Sequence, residues 1–468
     1  VGTTTGVVVL DFVKDKIDVA LKYTTATTPA IVNNSVNDVK MHVLRNAPID
    51  HATGLQIPTI YVGTADGLSV VNNNRTVTDS SSTDSAQAVA RTPEGVWWGA
   101  LFGTRLYFAT NADVLAGDGF GDVINNNLQV RTRSVVSNHH NLAYASESSG
   151  LGLALKTPNY SDMTKSMIAI ITTTYNSGHQ IGNSKGAFLS STDITSLVDG
   201  DTDADRSINA NGLTVTGTIN RDPVATGADL VGYSGWGVSA YMGQAHSANL
   251  DFATGAFSQI VNLKMAANSA TEVIFERDSP TTAQRITLAV SAAGLLVFTV
   301  DDGTTTRTAT GSTAVDVGTW QQIAAYYDGD GGVYIYLNGT LEASATGSAL
   351  LTMTNTAAIL RVGIDVQGAN PLTNGSLALL RPSATAPSAE QSAEIYHDER
   401  SLFQPGAQST IYGASDAVTA IAHDKGTDLL HVGTSAGRSV FSGLQRVSNT
   451  VIAVPGVISA SNDLVIEG

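Results

Sequence analysis

The sequence predicts an all-β chain of more than one domain. Runs rich in Val, Ile, Thr, Tyr and Phe recur from end to end between clusters of Gly, Asn, Asp and Thr, the pattern of short strands. Helical periodicity is nearly absent, and a strand–turn–strand unit near the start returns near the end. At 468 residues the chain also exceeds one ordinary core of ~100–200 residues.

Composition narrows the partners. Lys plus Arg is 25 against 41 Asp plus Glu, a net charge of −16, which argues against a nucleic-acid tracker or a binder of anionic membranes. Only 14% of residues are charged, against about 25% in ordinary globular chains, so the surface is neutral and rich in hydroxyls and amides. The absence of cysteine removes disulfides, thiolate nucleophiles and Cys-based metal sites. The longest apolar stretches, such as AGLLVFTV at 293–300, fall far short of the ~20 residues of a spanning helix, so membrane insertion is not expected. A start at Val1 without a basic segment reads as trimmed from a longer protein.

In chain order, the first element is a hairpin at 7–23. IYVGTADGLSVV (60–71) follows and returns as LHVGTSAGRSVF (430–441), with Val62/Val432, Gly63/Gly433, Thr64/Thr434, Gly67/Gly437, Ser69/Ser439 and Val70/Val440 identical. Weaker copies lie at 106–115, 142–155 and 168–190, and the steps from Ile60 to Leu106 to Leu142 are 46 and 36 residues. A four-stranded propeller blade consumes about 40–50 residues. The expectation is a β-propeller of about six blades built from 1–198 and 409–468, with VISASNDLVIEG at the C-terminus adding a strand to the N-terminal hairpin to close the ring.

Between the copies the texture changes, which marks an insertion at 204–408. It carries NLDFATGAFSQIVNLKM (249–265), VDVGTWQQIAAYYDGDGGVYIYLNGTLEASA (315–345) and GSLALLRPSATAPSAEQSAEIYHDE (375–399). A helix is predicted over 387–404, because Ser388 and Gln391 form a capping-box pattern and Pro405-Gly406 stops it; Ala389, Ala393, Tyr396 and Phe403 fall on one face. These strings resemble the concanavalin A-like, laminin G-like jelly-roll family, and the flanking units resemble β-propellers of two-component-regulator and related proteins. A propeller interrupted by such a jelly roll resembles bacteriophage tail-fibre and other virion-surface proteins.

Each candidate site has an ordinary structural role as its alternative. Asp199, Asp201, Asp203 and Asp205 alternate as calcium ligands do, but Ala204 stands where the turn glycine belongs and Ala210 where a bidentate Glu should be. Calcium is a weak candidate, and no other cofactor is expected. Glu276 and Asp278 alternate along one strand without a third acid, His139 and His140 are adjacent and point to opposite faces, and no string places a nucleophilic Ser. No catalytic residue is expected. Trp97 and Trp98 read as packing between neighbouring sheets rather than as a sugar platform. Loops on rigid β scaffolds concentrate binding residues, which selects Asp301, Asp302, Asp328, Asp330, Asn370 and Asn374 as ligand-binding candidates in the inserted domain.

The resemblance implies a non-enzymatic component of a phage tail fibre or spike, extracellular on the virion and trimeric. Its expected partners are other tail proteins and a host-surface glycan or receptor. A structural connector or decoration protein without receptor binding, and a secreted glycan-active enzyme, are the alternatives.

Overall fold

The computed structural model describes residues 166–454 except 208, 280, 281, 351 and 425. Outside that span it describes 2–3, 6–11, 16–26, 29–44, 47–50, 54–80, 85–91, 95–100, 106–110, 122–125, 132–138, 141–146, 152–157, 458–461 and 464–467. The pair His139-His140 lies outside the described residues. The chain divides into two compact units: Pro158–Ile411 with Phe441–Val447, and Val1–Thr157 with Tyr412–Val440 and Ser448–Gly468.

The first unit is a two-sheet sandwich. In chain order its strands are β1 (Thr202–Asp203), β2 (Leu213–Thr216), β3 (Asn220–Pro223), β4 (Val231–Ser234), β5 (Tyr241–Gln244), β6 (Phe257–Met265), β7 (Glu272–Ser279) and β8 (Thr282–Val290). They continue as β9 (Leu295–Asp302), β10 (Thr306–Ala314), β11 (Gln321–Tyr327), β12 (Val333–Leu337), β13 (Thr340–Ala345), β14 (Ile359–Val362) and β15 (Gly375–Ser383). An eight-stranded sheet runs β1-β2-β5-β14-β7-β8-β9-β10 and a seven-stranded sheet β3-β4-β15-β6-β11-β12-β13. The core between them includes Val215, Met242, Phe257, Phe275, Leu288, Phe298, Ile323, Ile335 and Leu377.

The two sheets differ in what covers their outer faces, and the sequence shows why. Strand β11, QQIAAYY, is buried at every position. Its outward Ala324 and Tyr326 are covered by a second cluster with Met167, Ile181 and Ile395. Strand β9, LLVFTVDD, instead alternates half-buried and buried residues, as a strand with one solvated face does. The outward positions of β9 and β10 therefore meet solvent, whereas β7 of the same sheet is buried at every position, with the Val366 amide on its outward Glu276.

Helix α1 (Ala389–Glu399) forms with the predicted capping box: Gln391 N–H donates to Ser388 Oγ at 3.2 Å, and Ser388 N–H to Gln391 Oε1 at 3.0 Å. It ends in a 3-10 turn at Arg400–Phe403. The face shared by Ala389, Ala393, Tyr396 and Phe403 is not the one that the helix buries most deeply. Ala389 and Ala393 are exposed, and Gln391, Ser392, Ile395 and Glu399 are buried. The helix is oriented by a polar partner, Arg381 of β15, rather than by its alanines.

The second unit holds small antiparallel sheets. The N-terminal one contains Gly2–Thr3, Gly6–Asp11 and Lys16–Tyr23. Two four-stranded sheets follow, Val36–His42/Thr59–Thr64/Gly67–Val71/Val77–Asp79 and Ala86–Arg91/Gly95–Ala100/Leu106–Thr110/Asp122–Asn125. The strands Thr132–Asn138, Asn141–Ser146 and Leu153–Thr157 pair consecutively. A further four-stranded sheet has the strands Val418–Asp424, Leu429–Thr434, Gly437–Ser442 and Gln445–Thr450, of which Phe441–Val447 counts with the first unit. First strands lie in series: Val36–His42 beside Ala86–Arg91, then Thr132–Asn138, Val418–Asp424 and Ile458–Ser461. Among the described residues, Ile458–Ser461 pairs with Leu464–Glu467 and the two form their own sheet, so the expected added strand is not found in the N-terminal one.

The long-range repeat has one physical basis in both copies. Thr64 Oγ1 donates to Gly67 O at 2.9 Å, and Thr434 Oγ1 to Gly437 O at 3.2 Å. Ser69 Oγ accepts from Val32 N–H at 2.9 Å, and Ser439 Oγ from Tyr412 N–H at 2.8 Å. A Cβ on Gly63 would stand 2.7 Å from Ala86 O, and one on Gly433 would stand 2.8 Å from Val454 Cβ, so a side chain at either position would collide with the next segment, backbone in one copy and a valine side chain in the other. Trp98 is fully buried with Tyr61, Leu68 and Val70, as a packing residue.

The copy at 168–190, expected to be a blade, belongs to the sandwich unit, whose boundary follows Thr157 instead of falling at 198–204. Met167 and Ile181 are buried against Ile260, Tyr336 and Ile395, so this segment is part of the cover on the seven-stranded sheet.

Candidate functional site

The outer face of the eight-stranded sheet is organised by register. Thr214, Gly243, Arg361, Glu276, Thr287, Thr299 and Thr308 are successive cross-strand partners on β2, β5, β14, β7, β8, β9 and β10. Their chain neighbours Val215, Met242, Leu360, Phe275, Leu288, Phe298 and Ala309 lie in the core, which turns this row outward. At about 4.8 Å per strand the row spans roughly 28 Å. Hydroxyls dominate it, and Thr299 and Thr308 are hydrogen-bonded to each other at 3.0 Å.

At one end the row sinks into a groove of about 240 Å³, lined by Thr214, Thr216, Tyr241, Gly243, Gln244 and Arg361 among others. Gly243 leaves the floor bare between Thr214 and Arg361. The guanidinium of Arg361 lies over the Tyr241 ring, its carbon 4.5 Å from the ring centroid, and its Nη1 reaches Asp365 O at 3.5 Å. Cation–π contact holds Arg361 in place, so ring and guanidinium form one preorganised wall. Opposite Arg361, Glu276 accepts from Thr287 Oγ1 at 2.8 Å and from Val366 N–H at 2.6 Å. Both of its oxygens are occupied within the protein. The groove therefore combines an aromatic surface, hydroxyls, an amide and one guanidinium, the chemistry that recognises a polyhydroxylated ligand.

Asp278 is buried on the same strand, and burial, then the neighbouring charges of Glu276 and Asp301, raise its carboxyl to about 6. Its Oδ1 accepts the Ser279 N–H at 2.6 Å.

The structure does not gather the loop candidates into one site. Asp301 accepts from Gly303 N–H and Thr306 Oγ1, and Asp302 from Thr304 and Thr305 N–H, closing the 302–306 turn. Asp328 Oδ1 accepts from Asp330 and Gly332 N–H, while Asp330 is exposed at the tip. Asn370 has φ 48° and donates to Asp365 at 2.8 Å; Asn374 donates to Glu272 at 2.7 Å. Asp301, Asp302, Asp328 and Asn370 are engaged in local turn chemistry, and Asn374 is held by Glu272 at the start of β7.

The acidic run is also dispersed. Asp199 accepts from Gly217 N–H, Asp201 from Val198 N–H, and Asp205 from Ala187 and Ser207 N–H. Asp203 turns inward to accept from Leu189 N–H and the Tyr233 hydroxyl, and burial pushes its carboxyl up. Among the described residues no three His, Asp or Glu side chains converge as metal ligands. Of the weak calcium candidates Asp199, Asp201 and Asp203, each carboxylate ties a different backbone segment.

Tyr241 and Arg361 were missed because they are 120 positions apart in sequence and meet only through the β5–β14 pairing. The alternation of β9 and β10 was the available signal for an open face.

Residues 237–391, from just before β5 into the first turn of α1, match the family model of the concanavalin A-like lectin/glucanases superfamily. The sandwich contains a concanavalin A-like domain. Among curated proteins none matches the chain. Among solved structures, the chain is similar to the binding domain of Paraclostridial Mosquitocidal Protein 1 at 14% identity and a TM-score of 0.37, covering 46% of this chain and 52% of that one. It is similar to domain 4 of an extracellular arabinanase from Geobacillus stearothermophilus, solved with arabinotriose, at 17% identity and a TM-score of 0.33, covering 41% and 92%. A third is the binding domain of botulinum neurotoxin serotype C1, at 13% identity and a TM-score of 0.33, covering 53% and 62%. The chain thus spans between half and two thirds of the toxin domains that it matches. No helix among the described residues is long and apolar enough to cross a membrane.

Proposed function

We propose that this chain is a non-enzymatic, glycan-binding component of an extracellular adhesive appendage, and that the Tyr241–Arg361 groove is its binding site. The observation that carries the reading is the groove itself: an aromatic–guanidinium wall facing the hydroxyls of Thr214 and Thr216 on the sandwich that contains the concanavalin A-like domain. A linear oligosaccharide laid across the strands meets several hydroxyls in turn, and repeated copies of the chain multiply such weak contacts by avidity.

The absence of catalysis is part of the proposal. Hydrolysis of a glycosidic bond takes two carboxylates free to act across a cleft. Here Glu276 is held by two donors, and Asp278 by the Ser279 amide.

The setting we propose is a phage tail fibre or spike, assembled as a homotrimer with other tail proteins and meeting a host-surface glycan. The sequence combination of repeated strand units around a jelly roll supports it. First strands lying in series support a propeller ring in the second unit.

Binding of the full chain to an array of immobilised host-surface oligosaccharides tests the reading. Wild type should bind, and Tyr241→Ala should weaken binding while leaving the thermal midpoint nearly unchanged. Absence of binding by wild type, or equal binding by the variant, would overturn it.

A further inference from the structure

We infer, building on the glycan-binding reading, that the groove selects a sugar carrying a carboxylate, of the uronic or sialic type, and that Arg361 is the selecting residue. The inference comes from the position of Arg361 at the groove, set against the buried arginines of this unit. Arg221, Arg277, Arg381 and Arg446 are the buried arginines among the described residues. Each meets a carboxylate: Asp193, Asp251, Glu399 and Asp229 respectively. Burying a guanidinium is costly unless an anion accompanies it, and the pairing follows that rule.

Arg361, like half-buried Arg206 over the Tyr175 ring, rests on a tyrosine without an ion pair among the described residues; what sets it apart is that it lines the groove. It is half-buried at the groove, yet its contacts are the Tyr241 ring and one long hydrogen bond to a carbonyl. The two carboxylates nearest in the fold are otherwise engaged. Glu276 is occupied by Thr287 and Val366, and Asp365 accepts from Ala369 N–H at 2.6 Å and Asn370 Nδ2 at 2.8 Å. A planar fork of donors fixed on an aromatic ring, partly desolvated and without a protein anion, matches a ligand carboxylate in two-pronged geometry.

The surroundings limit that ligand to few charges. The remaining groove side chains are neutral, and the chain as a whole carries −16, which repels a densely anionic polymer. One carboxylate on an otherwise hydroxylated sugar satisfies both conditions.

The test uses the full chain and an array of neutral, uronate-bearing and sialylated oligosaccharides. The strongest acidic binder is then measured in solution beside its carboxyl-reduced derivative, for wild type, Arg361→Met and Arg361→Lys. Acidic members should dominate the array. Carboxyl reduction and Arg361→Met should each weaken binding about tenfold or more and should not add, because they remove the same contact. Arg361→Lys should restore part of the loss, and the wild-type preference should shrink with salt. Equal binding of acidic and neutral members, with Arg361→Met unchanged, would overturn acid selection and leave the glycan reading standing. No binding to any member would overturn both.

Discussion

Arg381 and Glu399 form a buried two-pronged ion pair that fastens the end of helix α1 to strand β15, with neither side chain more than 2% exposed. The pair is completed from other segments. Arg381 Nη1 donates to His179 O at 2.9 Å, and Glu399 accepts from His179 N–H at 2.8 Å and Gln322 Nε2 at 3.3 Å. One carboxylate thereby joins helix, seven-stranded sheet and the 176–190 segment. Glu399→Ala strands a buried guanidinium, so chemical denaturation should show a loss of about 3–5 kcal/mol. Arg381→Met with Glu399→Leu should recover much of it. A loss under about 1 kcal/mol for Glu399→Ala would mean that the pair does not fasten the helix.

Asp278 gives a pH signature. Its carboxyl titrates near 6 in the folded chain against 3.8 for the unperturbed group, so the folded state holds its proton more tightly than the unfolded state. Stability from this residue is full below about pH 4 and is lost as pH rises through about 6. Asp278→Asn should therefore raise the thermal midpoint relative to wild type at about pH 8 and not at about pH 4. The same midpoint difference at both values would contradict this environment.

The repeated glycines make a paired prediction. Because a Cβ at Gly63 or Gly433 meets a neighbouring segment at under 3 Å, Gly63→Ala and Gly433→Ala should each destabilise by about 1–3 kcal/mol in chemical denaturation. Neutral behaviour at either position would show that the two copies are not equivalent.

The division of the chain can be tested with fragments. Residues 158–411 should unfold cooperatively when expressed alone. The shorter 204–408 fragment removes Met167, Ile181 and the His179 contacts, exposes the Tyr326 and Tyr336 side, and should be less stable. Equal midpoints for the two fragments would show that the 158–203 segment is not part of this fold.

Local chemistry was legible in the sequence wherever one segment determined the outcome. The Ser388–Gln391 cap, the Thr64/Thr434 turns and the tight hairpins needed only residues a few positions apart. The face that α1 buries most deeply was not legible, because apolar spacing does not foresee a helix seated on a buried arginine. The 168–190 segment looked like a blade since its strand pattern is local, whereas its partners Ile260, Tyr336 and Ile395 are far along the chain. The turn aspartates were attractive as ligand-binding residues for the same reason that they are occupied: each caps backbone amides of its own loop. The groove was out of reach, since it arises where sheet crossovers bring β2, β5 and β14 together.

The most direct test of the central claim is a crystal structure of the chain soaked with the oligosaccharide that binds most tightly in solution. The expected result is a sugar ring against the Tyr241–Arg361 wall, with its hydroxyls meeting Thr214, Thr216 and Gln244 of the groove. Sugar found instead at the 301–305, 328–332 or 370–374 turns, with the groove empty, would contradict it.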